Sequence, residues 1–312
     1  MEIHEAADMA HSTALPWAPI MIMPIGDIQY SGSGGPSDLN RLKKQLAWGV
    51  ENKCYYIGMG DYIDFLSPSN RARLKASGLY DTAEDVIDQA ATTLENELFK
   101  VLAPTRGRWI TLVEGHHYYH HMDGTTTGQR MATFLGAKYG GDAVLTRVTF
   151  RKSETNHASV STKLFIHHGV GSSSTLSGPL PRMERFAARC LAQVFFIGHY
   201  HTQDVKVFDA LDISDHGMPH LTHVTRCIVQ TGSFMHGWQQ GSHIGGRPSG
   251  HYPEQKLLAP VTLGAPVVIL TPVITDRIEE PSGRRATHAS VTIGGFVGSM
   301  PNLEALLKNK NI

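Results

Sequence analysis

The sequence predicts an α/β fold, and three features carry that expectation. Short apolar segments recur through the first two thirds, each stopping at a loop that opens on Gly, Glu or His. Stretches with helical spacing of apolar residues separate the first of them. The region from Asp204 to Phe296 is rich in Val, Thr, Ile and Gly and reads as mostly strands.

Taken in order, Ile20–Ile25 is short and apolar and ends at Gly26-Asp27, the pattern of a buried strand running into a loop. Ser37 or Asp38 can cap a helix to about Glu51, with Leu39, Leu42, Leu46 and Val50 on one face. Cys54–Met59 is a second buried strand, ending at Gly60-Asp61. A long helix is expected over Thr82–Leu102 from Val86, Ala90, Leu94, Leu98 and Val101, with Pro104 stopping it. Further strands are Trp109–Val113, Lys163–Ile166 and Gln193–Ile197. Helices are expected at Thr127–Tyr139, Met183–Leu191 and Leu303–Lys310. No repeat, low-complexity linker or convincing domain boundary interrupts the chain.

Composition narrows the function. The 28 basic and 28 acidic residues of the 312 cancel, which excludes a uniformly basic nucleic-acid coat and an acidic tail but not a local basic patch. Nucleic acid is possible as a partner but is not indicated by charge. Three scattered cysteines, Cys54, Cys190 and Cys227, make no disulfide framework and suit reducing conditions. No apolar run is long enough to span a membrane, and residues 1–11 lack a basic leader region. A cytoplasmic protein without membrane attachment is the expectation. Eighteen histidines are a high count, and histidine is both the commonest metal ligand and the usual acid–base group near neutral pH. His4, His11, His157, His216 and His220 read as surface scatter.

The remaining histidines sit with acids at strand ends. The five loops are Gly26-Asp27-Ile28-Gln29, Gly60-Asp61-Tyr62-Ile63-Asp64, Gly115-His116-His117, His167-His168-Gly169 and Gly198-His199-Tyr200-His201. Ligands of open α/β sheets bind at the carboxyl ends of strands, so residues far apart in sequence would meet at one rim. Carboxylate, carboxamide and imidazole donors without thiolate suit Mn²⁺, Fe²⁺ or Zn²⁺. The donors outnumber the needs of one ion, and two ions can clamp a phosphoryl group between them. Adjacent side chains on a strand point to opposite faces, so which of His116 and His117, and of His167 and His168, faces the metals stays open. The glycine-rich stretch 31–35 lacks the Gly-Lys-Ser/Thr ending of a phosphate-cradling loop. His116 and His120 are spaced i, i+4 without the glutamate of a protease zinc helix.

In order and spacing these blocks resemble the calcineurin-like metallophosphoesterase family, in particular phage and bacterial members with Gln where the first motif has His. The resemblance runs from Asp27 to His201. It implies a four-layer α-β-β-α sandwich of two mixed sheets flanked by helices, in a single metallophosphoesterase domain over 1–312. The core would span about 18–300, with 1–17 flexible or peripheral. It implies that Asp27, Gln29, Asp61 and His201 hold one metal and Asp61, His116, His168 and His199 a second, with Asp61 as the bridge. His117 would be the general acid and Asp64 its hydrogen-bond partner. Mn²⁺ is the expected ion, with Fe²⁺, Zn²⁺, Ni²⁺ and Mg²⁺ as alternatives.

Two residues depart from the family pattern. Gln29 replaces an imidazole with a neutral carboxamide and tilts the first site toward harder ions; His116 replaces Asn with a stronger ligand for a borderline metal. The expected activity is hydrolysis of a nucleotide-type or other small phosphodiester. Gln29 raises an alternative, a Mn-dependent nucleotide pyrophosphatase of the ADP-ribose/CDP-alcohol type, and a non-catalytic metal-binding scaffold is a third reading. Arg71, Arg73, Arg182 and Arg185 are candidate substrate contacts, although isolated basic residues usually serve as solvated surface. Two further stretches, Pro68–Arg71 and Thr231–Phe234 with Tyr252–Glu254, resemble the same subgroup without naming a substrate.

Overall fold

A computed structural model describes residues 9–65, 78, 80–152, 159–171, 178–213, 219, 221–238, 254, 257, 259–279 and 284–298. Arg71, Arg73, Tyr252 and the terminal helix expected at Leu303–Lys310 lie outside these residues.

Two six-stranded mixed sheets form the centre. In the first, β2 (Ile20–Ile25), β3 (Tyr55–Gly58), β4 (Trp109–Leu112) and β5 (Lys138–Tyr139) run parallel. The hairpin β11 (Val267–Glu279) and β12 (Arg284–Phe296) continues it antiparallel, in the order β12-β11-β2-β3-β4-β5. The second sheet is ordered β1-β6-β7-β8-β10-β9. Its members are β1 (Ala10–Pro16), β6 (Ala143–Arg151), β7 (Ser159–His167), β8 (Val194–Ile197), β9 (Gln203–Ile213) and β10 (Leu221–Thr231).

Three buried clusters show the layering. One lies between the sheets and joins Ile22, Ile57 and Ile110 to Val148, Ile166, Phe196 and Val229. A second lies between the first sheet and α1 (Leu39–Glu51), α2 (Tyr80–Leu102) and α3 (Thr127–Leu135). The third packs α4 (Leu180–Ala187) on Phe195 and Ile228 of the second sheet. This is the α-β-β-α arrangement. Burying each such Ile, Val or Phe side chain contributes about 1.5–3 kcal/mol.

Local chemistry explains the helix bounds. Asp38 caps α1 by accepting the Arg41 N–H, at 2.9 Å. Ser37, the other candidate, instead donates to the carbonyls of Ile28 and Gln29. Val50, expected on the apolar face, is exposed, and Gln45 is buried because its amide bonds both the N–H and the C=O of Ala265. On α2 the inward stripe is Ala91, Glu95, Leu98 and Leu102, while Val86 is exposed. The acid in that stripe is tolerated because His121 Nε2 meets Glu95 at 2.7 Å. Thr126 and Gln129 cap α3 reciprocally, and Gly136 in the left-handed region ends it four residues before the expected stop at Tyr139. Residues 138–139 then form β5. Helix α4 begins and ends earlier than expected, with Pro181 in its first turn.

Residues 1–17 were expected to be flexible or peripheral; Ala10–Pro16 form an edge strand of the second sheet, registered against Leu145–Arg151. Only Leu15 of that strand is buried, so main-chain pairing holds it and the apolar pattern barely marks it. Strand β6 likewise escapes an apolar-run reading, because its inward residues alternate with Arg and Thr. Among the described residues no helix is long and apolar enough to cross a membrane.

Candidate metal centre

The carboxyl ends of β2, β3 and β4 in one sheet and of β7 and β8 in the other meet at one rim. The loops that follow them carry Asp27, Asp61, His116, His168 and His199. The first two loops are laced together by backbone bonds: Asp27 N–H to Gly60 O, Gln29 N–H to Asp61 O and Tyr30 N–H to Tyr62 O, at 2.9–3.0 Å. Five non-glycine residues here adopt left-handed backbone: Asp27 (φ 45°), Gln29 (φ 49°), Asp61 (φ 50°), His199 (φ 72°) and His201 (φ 61°). Asp and His are among the residue types that tolerate this conformation best. Such strain persists only where surroundings over-determine it, and it clusters at functional sites.

Each carboxylate divides its oxygens between two tasks. Asp61 Oδ1 accepts the backbone N–H groups of His116 (2.6 Å) and His117 (2.8 Å), while Oδ2 stands 3.2 Å from His168 Nε2. Asp27 Oδ2 accepts the His199 N–H at 2.9 Å, while Oδ1 stands 3.3 Å from His201 Nε2. The imidazoles are oriented from behind, as metal-binding histidines commonly are. His168 Nδ1 donates to the Met59 carbonyl at 2.7 Å, which leaves Nε2 facing the carboxylates. His199 Nε2 donates to the Gly171 carbonyl at 2.6 Å, which leaves Nδ1 facing His116 Nδ1 at 3.3 Å.

Donor atoms of Asp27, Asp61 and His168 lie within 4.8 Å of one another, and so do those of His116, His168 and His199. Two of these atoms, Asp27 Oδ1 and His168 Nε2, are buried without a hydrogen-bond partner among the described residues. Their neighbours at 3.2–3.3 Å thus approach without hydrogen-bond geometry. That spacing matches adjacent ligands on one cation, about 3.0–3.4 Å apart when ligand bonds are about 2.1 Å. The residues present therefore fit divalent cations.

The electrostatics agree. Burial opposes a charge on His168, but the Asp27 carboxylate and its contact with Asp61 outweigh that and push its pKa up to about 9. Burial likewise opposes ionisation of Asp61, yet His168 and then His117 hold its carboxyl well below the usual range. The pair of acids thus captures a positive charge, which a proton supplies in the free protein and a cation can replace. Burial and the neighbouring imidazoles lower His116 and His199, keeping both neutral and able to ligate.

The sequence-predicted residues sort as follows. His168 joins both donor groups, and His167 does not: its Nδ1 accepts the Gly169 N–H at 2.8 Å. His116 joins the second group, while His117 Nδ1 meets Asp64 Oδ1 at 2.9 Å. Gln29 is buried in its loop, its backbone tied to Asp61 and Ser37. The residue common to the two donor groups is His168, whereas the bridge was expected to be Asp61. An imidazole nitrogen has one lone pair and can serve one ion at a time, so membership of both groups does not make His168 a bridge. Arg182 and Arg185 are exposed and donate to the carbonyls of Val170 (2.7 Å) and Pro181 (3.2 Å). Arg182 thereby braces the loop whose Gly171 orients His199.

Sequence reasoning missed the braces of the Asp27 loop. Ser233 Oγ and the Phe234 N–H both donate to the Asp27 carbonyl, at 2.9 and 3.1 Å. The Thr231–Phe234 stretch was singled out in the sequence, but nothing in one dimension ties it to Asp27.

No protein-family model matches the chain, and no curated protein matches it. Solved structures do. Wild-type Vps29 of Entamoeba histolytica, complexed with zinc, shares 9% identity at a TM-score of 0.36 and covers 88% of this chain and 99% of its own. GAP50 of Plasmodium, the anchor in the inner membrane complex, shares 12% at 0.44, covering 87% and 88%. A conserved protein of Streptococcus pneumoniae, described as a predicted phosphoesterase, shares 10% at 0.32, covering 88% and 99%. The donor geometry stands independently of these likenesses.

Proposed function

We propose that this protein is a divalent-metal-dependent phosphoric ester hydrolase, and specifically a phosphodiesterase acting on nucleotide-type or other small phosphodiesters. The observation that carries this reading is the convergence of two buried carboxylates and four imidazoles on one rim, with Asp27 Oδ1 and His168 Nε2 left without a hydrogen-bond partner among the described residues. Asp27, Gln29, Asp61 and His201 would hold one cation; His116, His168 and His199, with Asp61 shared, would hold the other. When bound, the cations would neutralise phosphoryl oxygens and lower the pKa of a water to near neutrality.

The chain's own groups then supply orientation and a proton. Asp64 binds His117 Nδ1 and raises the imidazole pKa against the effect of burial. The contact thus favours the protonated imidazole, with Nε2 free of that bond to release a proton to a departing oxygen. An alkoxide leaving group needs such a proton, whereas a nitrophenolate does not. This pair supports diesters of aliphatic alcohols over activated monoesters.

The test compares His117→Ala with the parent on a diester with an alkyl leaving group and on bis-nitrophenyl phosphate. The expected loss in kcat/KM is about 10²–10⁴-fold on the first and far smaller on the second. Equal losses on both would remove the general-acid role. Turnover confined to nucleotide pyrophosphates with Mn²⁺ would replace the diesterase reading with the one Gln29 raises. Metal uptake without turnover of any of these esters would leave the non-catalytic metal-binding scaffold.

A further inference from the structure

The two donor groups differ in chemistry. The group of His116, His168 and His199 is made of imidazole nitrogens alone. Its rings stand edge to face, with centroids 4.8 Å apart for His116–His168, 4.8 Å for His116–His199 and 5.3 Å for His168–His199. Two of the three rings give one nitrogen to a backbone carbonyl, which turns His168 Nε2 and His199 Nδ1 toward the cluster. The other group, which shares His168, is richer in oxygen. Asp27 and Asp61 contribute one oxygen each, with the second oxygen of each anchored on backbone amides. His201 adds a single imidazole beside Asp27, and Gln29 lies in the same laced loop, its backbone N–H on the Asp61 carbonyl.

Borderline ions such as Zn²⁺ prefer imidazole, whereas Mn²⁺ and Mg²⁺ prefer carboxylate and carbonyl oxygen. We propose that this centre is two unequal cation sites, a three-imidazole site selective for Zn²⁺ and an oxygen-rich site selective for Mn²⁺, with His116 as the residue that decides the difference. The inference rests on the metal-dependent reading above but goes beyond it, since that reading holds equally for two identical ions. His116 is well placed for this role. Its side chain is exposed at the rim while its backbone N–H is fixed on Asp61 Oδ1 at 2.6 Å. Changing the side chain therefore alters the donor set without emptying a core position.

The experiment uses the full chain stripped with chelator and dialysed against equimolar Zn²⁺ and Mn²⁺, with bound metal read by elemental analysis. Calorimetric titration with each ion alone follows, and the absorption spectrum of the Co²⁺-loaded protein reports nitrogen content. The parent is expected to retain one Zn²⁺ and one Mn²⁺. His116→Asn should weaken the Zn²⁺ step, since a carboxamide replaces an imidazole, and leave the Mn²⁺ step near its parent value. Gln29→His should raise Zn²⁺ occupancy to two. Two ions of one kind in the parent, or an unchanged Zn²⁺ step in His116→Asn, would overturn the selectivity while leaving the metal-dependent reading intact. Binding of neither ion would remove both. Because the dialysis is read on the parent, a misfolded variant does not rescue the proposal.

Discussion

Gly115→Ala adds one methyl group at the tightest point of the rim. A Cβ there would stand 2.0 Å from Asp61 Oδ1 and 2.2 Å from the Asp61 backbone nitrogen. Ordinary contact begins at 3.4 Å, so Asp61 or the His116–His117 backbone must move by about 1 Å. The obstruction includes main chain, which cannot swing aside as the tip of a long side chain would. The same displacement breaks the two N–H bonds that hold Asp61 Oδ1. Overpacking of this kind costs about 1–3 kcal/mol of stability, and a shift of about 1 Å in catalytic geometry costs on the order of 100-fold in rate. The assay is Mn²⁺ and Zn²⁺ affinity by calorimetry, with thermal melting and diester turnover alongside. Gly294→Ala is the control, since a Cβ there meets nothing within 4 Å. The variant is expected to fold with a lowered Tm, bind metal weakly and turn over about 100-fold more slowly, while the control matches the parent. Parental metal affinity in Gly115→Ala would refute the claim that this glycine lets the two loops close on one another.

Two further outcomes concern protons. Burial pushes Glu114 up from 4.5 to about 7, against hydrogen bonds from Thr126 and Tyr139. The folded state then holds a proton that the unfolded state releases, so this contribution is complete below pH 4.5 and is lost as pH rises through about 7. In chelator, the parent should lose about 3 kcal/mol relative to Glu114→Gln across that window; parallel stability curves for the two proteins would count against a buried neutral acid. His168, protonated up to about pH 9 between two carboxylates, must release that proton to accept a cation. Metal uptake at pH 7, measured in buffers of different ionisation heat, should release about one proton, and affinity should rise about tenfold per pH unit until about 9. Affinity flat between pH 7 and 9 would mean that no cation displaces the His168 proton.

Much of the rim was legible in one dimension. A short apolar strand must stop where its backbone leaves the sheet, and the residues at that stop face whatever lies at the sheet's end. Asp27, Asp61 and His199 could be named for that reason, the pairs His116/His117 and His167/His168 could be located but not resolved, and the two-sheet architecture followed from the resemblance their order carries. Helix positions were legible from period, but their inward faces less so. Glu95 and Gln45 are buried through partners distant in sequence, His121 and Ala265, and a hydropathy pattern scores such residues as solvent-facing.

The tertiary structure alone decided what depends on distance and direction. Between adjacent histidines it chose by carbonyls and amides: Met59 O orients His168, while the Gly169 N–H engages His167. It paired the donors into an imidazole group and an oxygen-rich group, and it brought Ser233 to the Asp27 carbonyl across 206 residues of chain. It also found the edge strand Ala10–Pro16, which main-chain bonds hold with little apolar burial. The amino-acid order specifies which chemical groups exist and where each strand ends. The orientation of each lone pair is set by backbone atoms of other segments, whose identity no side-chain alphabet records.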